Sequence, residues 1–253
     1  MNKNKEHERY EKKFKNRLKD DFKRKKFGSS SINPVFRSPY LFFEKMINVH
    51  SNPSFKILEL GAGDGKHTEI LLSNGAKVTA SDISQSALQL LKKSLLPQYK
   101  SQLKTKVANI EDLPFDKESF DLVTSAGSLS YGLPDLVLKE VKRVLKPGGF
   151  YIAIDSLNEN PIYRLNRFIQ YLLRKRSFKT IKYMPDNKFI GKLKKEFEFI
   201  QDQYFGSLLW ITPLTLCAFY SNRIVKFLNK FDEIYQPKSL AFKFVIVLKK
   251  HKK

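Results

Sequence analysis

The sequence predicts an α/β fold with a seven-stranded, mostly parallel sheet and helices on both faces. Two observations predict it. Short apolar runs alternate with helical patterns from residue 55 onward, and the first runs end in turns rich in glycine or acidic residues. Strands that alternate with helices pair in parallel through crossover connections. The expected strands are residues 55–60, 77–80, 104–108, 120–125, 150–155, 199–205 and 241–248.

Helices are expected between these strands, because apolar residues recur there every three or four positions. Ser84 is a suitable N-cap for one helix, and Asn74-Gly75 is a suitable end for the helix before it. The expected helices are residues 40–49, 66–73, 84–95, 134–145, 161–175 and 185–197.

The chain divides into a basic leader, residues 1–30, and one domain, residues 31–253. The leader is helical or disordered, with a narrow apolar stripe of Phe14, Leu18 and Phe22, and we expect it to be dispensable for the fold. Within the domain, residues 40–155 form the regular core. Two helical insertions, at about 156–184 and 206–238, follow the fifth and sixth strands.

Composition limits the function classes. The net charge of +22 favours anionic partners, although a lysine-rich chain can also carry such charge without function. A single cysteine, Cys217, cannot form an internal disulfide, and no apolar run reaches the roughly 18 residues of a membrane span. These features predict a cytoplasmic protein, with contact to the inner face of the cell membrane as an open alternative.

A glycine-rich turn follows the first strand, at residues 57–65 with the sequence Ile-Leu-Glu-Leu-Gly-Ala-Gly-Asp-Gly. Glycine at every second position lets the backbone turn sharply and approach a ligand closely. Asp82 ends the next strand, where nucleotide-binding α/β folds place an acid that accepts hydrogen bonds from ribose. The pattern therefore indicates a nucleoside-containing ligand.

Two later segments make the pattern more specific: Asn-Ile-Glu-Asp-Leu-Pro-Phe at residues 109–115 and Leu-Lys-Pro-Gly-Gly at residues 145–149. With the glycine turn, they resemble the class I S-adenosylmethionine-dependent methyltransferases in order and spacing over about residues 40–155. The resemblance implies a Rossmann-like fold, methyl transfer and S-adenosyl-L-methionine as cofactor.

By position, the resemblance implies that Gly61, Gly63 and Gly65 line the methionine moiety and that Glu59 anchors their loop. The other implied cofactor contacts are Asp82 to the ribose, Ile83, Asn109 and Ile110 around the adenine, and Gly127 beside the methionine. Many relatives carry Asp where this chain has Asn109, whose amide oxygen can still accept a hydrogen bond.

The catalytic base is not evident. Relatives often carry His-His after the fourth strand, where this chain has Ser130-Tyr131. The candidates are Asp155, at the carboxyl end of the fifth strand, Tyr131 in the expected acceptor pocket, and His67 beside the glycine turn. Each also has a purely structural interpretation. His7 lies outside the motifs, and we expect it to have no role in the site. The sequence contains no cluster of Cys and His residues that would predict a metal site.

The second half of the chain carries the acceptor information. Helix 161–175 is basic and amphipathic, with Arg164 and Arg167 suited to phosphate. Residues 208–220 are the most apolar stretch outside the core and suggest a lid or a contact with a membrane interface. Each segment can equally be ordinary packing.

Short stretches at residues 160–168, 204–207 and 241–245 resemble methyltransferases associated with bacterial cell-surface polysaccharide biosynthesis. That resemblance predicts a small-molecule acceptor, a sugar or carrier-linked saccharide that can bear phosphate. The alternatives are a quinone-type or other aromatic acceptor, an RNA, which the absence of a recognisable RNA-binding module disfavours, or a non-catalytic protein that binds the cofactor.

Overall fold

A computed structural model of the protein describes residues 3–19, 28–209 and 222–252. Seven strands form one sheet in this part of the chain. The strands are β1 (Lys56–Leu60), β2 (Lys77–Asp82), β3 (Leu103–Val107), β4 (Phe120–Ala126), β5 (Leu145–Ser156), β6 (Glu198–Phe205) and β7 (Lys243–Lys249). Helices connect most of them, so the alternation expected from the sequence is confirmed.

The helices in the described ranges are α1 (Lys3–Lys19), α2 (Ser38–His50), α3 (Thr68–Ser73), α4 (Gln85–Ser94), α5 (Pro134–Val144), α6 (Pro161–Leu172), α7 (Phe178–Lys182), α8 (Asn187–Glu196) and α9 (Asn222–Tyr235). Short 3-10 helices span Gly28–Ser31, Pro34–Phe36, Pro97–Gln102 and Leu129–Tyr131. Helix α4 begins as expected at Ser84, whose hydroxyl accepts a hydrogen bond from the Ala87 N–H at 3.1 Å.

The strand order is β3-β2-β1-β4-β5-β7-β6. Strands β1 to β5 are parallel, whereas β7 lies antiparallel between β5 and β6. The sheet is therefore mostly parallel, as predicted. The order reverses between β1 and β4, and ligands bind such sheets at this point, beyond the carboxyl ends of the strands.

Apolar side chains cover both faces of the sheet. Along β1, Leu58 belongs to a core shared with α5 and α8, and Ile57 belongs to a second core shared with α2 and α3. Successive residues of a strand point to opposite faces, so a strand buried on both faces is apolar at nearly every position. This packing fixes the carboxyl ends of β1 and β4 relative to each other.

The structure differs from the sequence prediction in the second half. Strand β5 starts at Leu145 rather than at residue 150, because Leu145 already pairs with Phe120 of β4, and the register shifts before the next pair, Leu122 and Phe150. The expected helix 161–175 is α6, which ends at Leu172, shortly before Arg174, whose φ is +57°, and the separate short helix α7 was not expected. Most of the apolar stretch 208–220 lies outside the described residues.

The leader forms helix α1, which packs against α4 in the described part of the chain. Phe14 is buried against Ala87 and Leu90, and Leu18 packs beside it. Two residues of the expected stripe, Phe14 and Leu18, therefore face the domain, whereas Phe22 lies outside the described residues.

Candidate functional site

A cavity of about 320 Å³ lies beyond the carboxyl ends of β1, β2 and β4. Its size falls at the lower end of the ~300–1,000 Å³ typical of small-molecule sites. Sheet loops supply most of the wall, and two helices supply the remainder. The lining residues are Gly61, Gly63, Asp82, Ile83, Ala108, Asn109, Ile110, Glu111, Gly127, Ser128, Ser130 and Tyr131 from the loops, with His7, Tyr10 and Phe14 from α1 and Lys179 and Thr180 from α7.

The glycine turn after β1 has three residues with positive φ: Gly61 at +66°, Gly63 at +56° and Gly65 at +86°. A Cβ on Gly61 would lie 2.6 Å from the Ser128 Cβ, and a Cβ on Gly65 would lie 2.8 Å from the Leu91 Cγ. Glycine is thus required at Gly61 for the approach of two loops and at Gly65 for packing on α4. Gly65 is not among the lining residues.

Asp82 connects the first two loops. One carboxylate oxygen accepts a hydrogen bond from the Gly63 N–H at 2.8 Å, and the other accepts from the Ser84 N–H at 2.9 Å. Burial raises the pKa of Asp82, and these backbone hydrogen bonds oppose the rise. A carboxylate has about four acceptor positions, so Asp82 retains capacity for ligand hydroxyls.

Glu59 lies beneath the turn, buried, and is not among the lining residues. Its carboxylate accepts a hydrogen bond from the Thr68 hydroxyl at 2.6 Å, which ties β1 to the start of α3. Burial raises the pKa of Glu59 from 4.5 to about 8, with a further contribution from the Asp82 charge. Glu59 therefore supports the loop from below.

The remaining predicted cofactor residues come together on the wall. Ile83, Asn109, Ile110 and Gly127 all line the cavity. Gly127 has a φ of +72°, and a Cβ at this position would meet no atom within 4 Å, so the glycine leaves open space inside the wall. Apolar side chains beside Asp82 and a glycine cradle together suit a nucleoside joined to a small polar chain.

Helix α1 covers one side of the cavity. The Tyr10 hydroxyl hydrogen-bonds the Tyr131 hydroxyl, and their rings meet edge-on with centroids 5.3 Å apart. Glu11 accepts hydrogen bonds from the hydroxyls of Ser84, at 2.7 Å, and Ser86. Burial acts against ionisation of Glu11, but these hydrogen bonds dominate and lower its pKa. The leader is therefore part of the site wall.

A salt bridge adds to this attachment, because Arg17 of α1 lies 2.7 Å from the Asp64 carboxylate in the glycine turn. His7, which the sequence motifs did not include, also lines the cavity. Sequence reasoning missed the lining residues of α1. The spacing of four between Tyr10 and Phe14 was the available signal, because it places both on one helix face.

Helix α7 closes another side with Lys179 and Thr180, which the sequence did not indicate. The Lys179 ammonium lies 3.8 Å from the Glu111 carboxylate, and Glu111 also accepts a hydrogen bond from the Leu133 N–H at 2.7 Å. Because α7 packs against the Leu129–Tyr131 turn, the insertion after β5 contributes directly to the cavity.

The candidate bases occupy different environments. Tyr131 lines the cavity, whereas Asp155 is buried outside the lining. The Asp155 carboxylate accepts hydrogen bonds from the N–H groups of Leu129, at 2.9 Å, and Ser156, at 2.7 Å. Burial raises its pKa, opposed by the nearby charge of Lys243. This geometry orients the turn that carries Tyr131.

His67 stacks on the Tyr40 ring, with centroids 5.5 Å apart, and is not among the lining residues. Burial lowers the pKa of His67 to about 4, so the imidazole is neutral at physiological pH. These contacts give His67 a packing role.

Residues 58–153 match the family model described as a methyltransferase domain. A demethylmenaquinone methyltransferase of Lactococcus lactis subsp. lactis is 36% identical over 155 residues, covering 57% of this chain and 56% of the relative. A ubiquinone/menaquinone biosynthesis C-methyltransferase of Hahella chejuensis is 35% identical over 116 residues, covering 42% and 45%. The chain thus spans about half the length of these curated relatives.

Among solved structures, geranyl diphosphate C-methyltransferase from Streptomyces coelicolor A3(2) superposes with a TM-score of 0.61 and 16% identity, covering 95% of this chain and 98% of that one. At this identity the likeness concerns the fold alone, which is the Rossmann-like fold of class I methyltransferases.

The fold is the Rossmann-like fold of class I methyltransferases, and the match of residues 58–153 to a methyltransferase domain supports S-adenosyl-L-methionine as the cofactor. The names of the two curated relatives refer to quinone substrates. The polysaccharide-associated branch expected from residues 160–168 finds no support in these names.

Proposed function

We propose that the protein transfers a methyl group from S-adenosyl-L-methionine to a small aromatic acceptor of the quinone type. One observation carries the proposal: the cavity joins a glycine and Asp82 cradle to a wall containing Tyr10, Phe14 and Tyr131. The cradle suits the cofactor, and the aromatic wall suits a flat, largely apolar ring. Two curated relatives of the core act, by name, in quinone methylation.

In this proposal the cofactor takes the cradle side of the cavity. Asp82 accepts hydrogen bonds from the ribose, and Ile83 and Ile110 enclose the adenine. Asn109 faces the adenine edge and Gly127 lies beside the methionine chain. Gly61 and Gly63 allow close backbone approach, whereas Glu59 and Gly65 act beneath the turn by holding its shape.

The cofactor supplies a methyl group already activated by a positive sulfur. The protein therefore has to align the acceptor and exclude water. Helix α1 helps to align the acceptor and to exclude water as long as Phe14 and Glu11 hold it against the domain. A phenolic or hydroquinone acceptor must also lose a proton, and Tyr131 with its partner Tyr10 is the hydroxyl pair on the wall.

Asp155 acts in this mechanism as a positioning residue, because its carboxylate accepts a hydrogen bond from the Leu129 N–H, two residues before Tyr131. Direct proton transfer to Asp155 remains the competing assignment. His7 also lines the cavity, and imidazole is the side chain that most often serves as a general base. The side chains that could take the proton from the acceptor therefore lie on two elements, α1 and the turn after β4.

The sugar acceptor is the second candidate, favoured by the polar groups Glu111, Lys179 and Ser130 in the same wall. A phosphate on either acceptor would find Lys179 as the nearest lining cation.

We place the protein in the cytoplasm. No helix of the described ranges is long and apolar enough to span a bilayer.

Two measurements test the proposal. Calorimetric titration should show S-adenosylmethionine binding that weakens about 10- to 100-fold in Asp82→Ala, from the loss of hydrogen bonds to a charged group, roughly 1.5–3 kcal/mol. Asp116→Ala, at an acid in the loop before β4 and outside the lining, is the matched control. Transfer of a labelled methyl group is then compared between a demethylated hydroquinone and a sugar phosphate. Labelling of the sugar alone would refute the quinone assignment, and no cofactor binding would refute the whole proposal.

A further inference from the structure

Helix α6 has an unusual orientation. Its apolar side chains recur every three or four residues and therefore share one helix face. That face is exposed: Leu165 is 59% and Leu172 62% accessible. The other large exposed side chains of this face are Ile162, Phe168 and Ile169. An amphipathic helix of a single globular domain normally buries such a face.

The polar side of α6 faces the protein instead. Arg167 is 5% accessible and donates hydrogen bonds to the Leu157 carbonyl at 2.8 Å and the Asn158 side chain at 3.1 Å. Its guanidinium also lies over the Phe242 ring, 5.9 Å from the centroid. Burial lowers the pKa of Arg167 to about 10, which leaves it charged at neutral pH. These contacts fix the helix with its apolar face outward.

Positive charge accompanies the apolar face. Between residues 160 and 185 the sequence contains no Asp or Glu. Arg164, Arg174, Lys175, Arg176 and Lys182 are exposed in this stretch. Phe178, at the start of α7, extends the apolar surface and is also exposed. We call the apolar face of α6 with Phe178 and these cations the α6 surface.

We propose that the α6 surface docks the protein on anionic lipid membranes. Leucine and phenylalanine on one side of a helix, with basic residues at its border, are the features of helices that lie in the plane of a membrane interface. Each lysine or arginine near an anionic surface contributes further attraction, and the whole chain carries +22. A protein partner would need a large acidic surface to match this charge.

Docking here would bring the cavity to the membrane. Helix α7 follows α6 after five residues, and its Lys179 and Thr180 line the cavity. An acceptor with a lipid tail could then reach the aromatic wall while its tail stays in the bilayer. This last step rests on the proposed function, whereas membrane docking itself does not.

Vesicle sedimentation of the full-length protein, without cofactor or acceptor, tests the proposal. The protein should sediment with vesicles of phosphatidylcholine and phosphatidylglycerol, and much less with phosphatidylcholine alone. Leu165→Ser with Phe168→Ser should reduce partitioning about tenfold or more, since both side chains leave water on docking. Arg174→Ala with Lys175→Ala should make binding weaker and less sensitive to salt.

The matched control is Leu41→Ser with Val49→Ser, two exposed apolar residues of α2 outside the α6 surface. It should bind vesicles as the unchanged protein does. Equal sedimentation of the control and α6 variants, or none with anionic vesicles, would overturn the proposal. A lower melting temperature of the Leu165→Ser, Phe168→Ser variant, with unchanged vesicle binding, would also overturn it. That result would show that the face is covered by residues 210–221 of the chain or by a second copy. Methyl transfer in detergent would be unaffected, so the two proposals fail separately.

Discussion

The ring of Phe14 lies over Gly63: a Cβ built on Gly63 would point to the Phe14 Cζ, 3.9 Å away. A residue of the leader and a residue of the glycine turn thus face each other across one edge of the cavity. Because both also line the cavity, the cofactor site depends on two segments that are 49 positions apart in sequence.

Replacement of Gly63 by valine should weaken cofactor binding at least about tenfold. The residue has a φ of +56°, which costs a side chain roughly 1–2 kcal/mol, and a branched chain would press on Phe14. Calorimetric titration with S-adenosylmethionine measures the loss. Gly191→Val in α8, where a Cβ meets no atom within 4 Å, is the control and should bind normally. Equal affinities would remove Gly63 from the site.

Removal of residues 1–27, most of the leader, should lower both the melting temperature and the cofactor affinity. The composition had led us to expect a dispensable leader. In the structure, however, Phe14 is buried, Glu11 accepts a hydrogen bond from the domain, and Arg17 forms a salt bridge with it. Phe14→Ala alone should cost about 3–5 kcal/mol of unfolding free energy. Lys12→Ala, at an exposed position of the same helix, should change neither property. A truncated protein with unchanged melting and binding would restore the original expectation.

The sequence predicts the sheet, and most of the loop residues that it assigns to the cofactor line one cavity, because the same residues shape the turns between strands and helices. Glycine at Gly61 and Gly65 is required by close approach, and Asp82 is the last residue of strand β2. The orientation of α6 and the docking of α1 were not predictable in this way. Periodicity shows that a helix has an apolar face, but only tertiary contacts, such as those of Arg167, decide which face turns inward.

Glu59→Gln should change how stability depends on pH. Burial raises the pKa of Glu59 from 4.5 to about 8, so between these pH values the folded protein holds a proton that the unfolded chain has released. The free energy of unfolding therefore falls as pH rises through this interval, by a few kcal/mol at most. Gln keeps the acceptor for Thr68 and removes the titration.

Thermal melting from pH 5 to 8 measures this difference. The melting temperature of Glu59→Gln should decline less with pH than that of the unchanged protein. Glu69→Gln, at a partly exposed position on α3, provides the control and should follow the unchanged protein. Parallel curves for Glu59→Gln and the unchanged protein would contradict the raised pKa.

Asp155→Asn separates a positioning role from a catalytic base. The amide side chain can replace one of the two backbone hydrogen bonds, to Leu129 or Ser156, so unfolding should become about 1–3 kcal/mol easier. If Asp155 only positions the turn, kcat falls while the pH profile keeps its shape. Loss of the acidic limb of the profile would instead identify Asp155 as the proton acceptor.

Tyr131→Phe tests the hydroxyl on the cavity wall. The ring and its edge contact with Tyr10 remain, but the hydrogen bond between the two hydroxyls is lost. We expect unchanged cofactor affinity and a fall of about tenfold or more in kcat/KM for the acceptor, because the hydroxyl contacts the acceptor in our proposal. Tyr10→Phe should produce a similar fall, and the double variant should lose little more, since residues that act as one unit are not additive. Tyr99→Phe, outside the cavity lining, is the control and should keep full activity. Full activity of Tyr131→Phe would exclude its hydroxyl from the reaction and make His7 the next lining residue of α1 to replace.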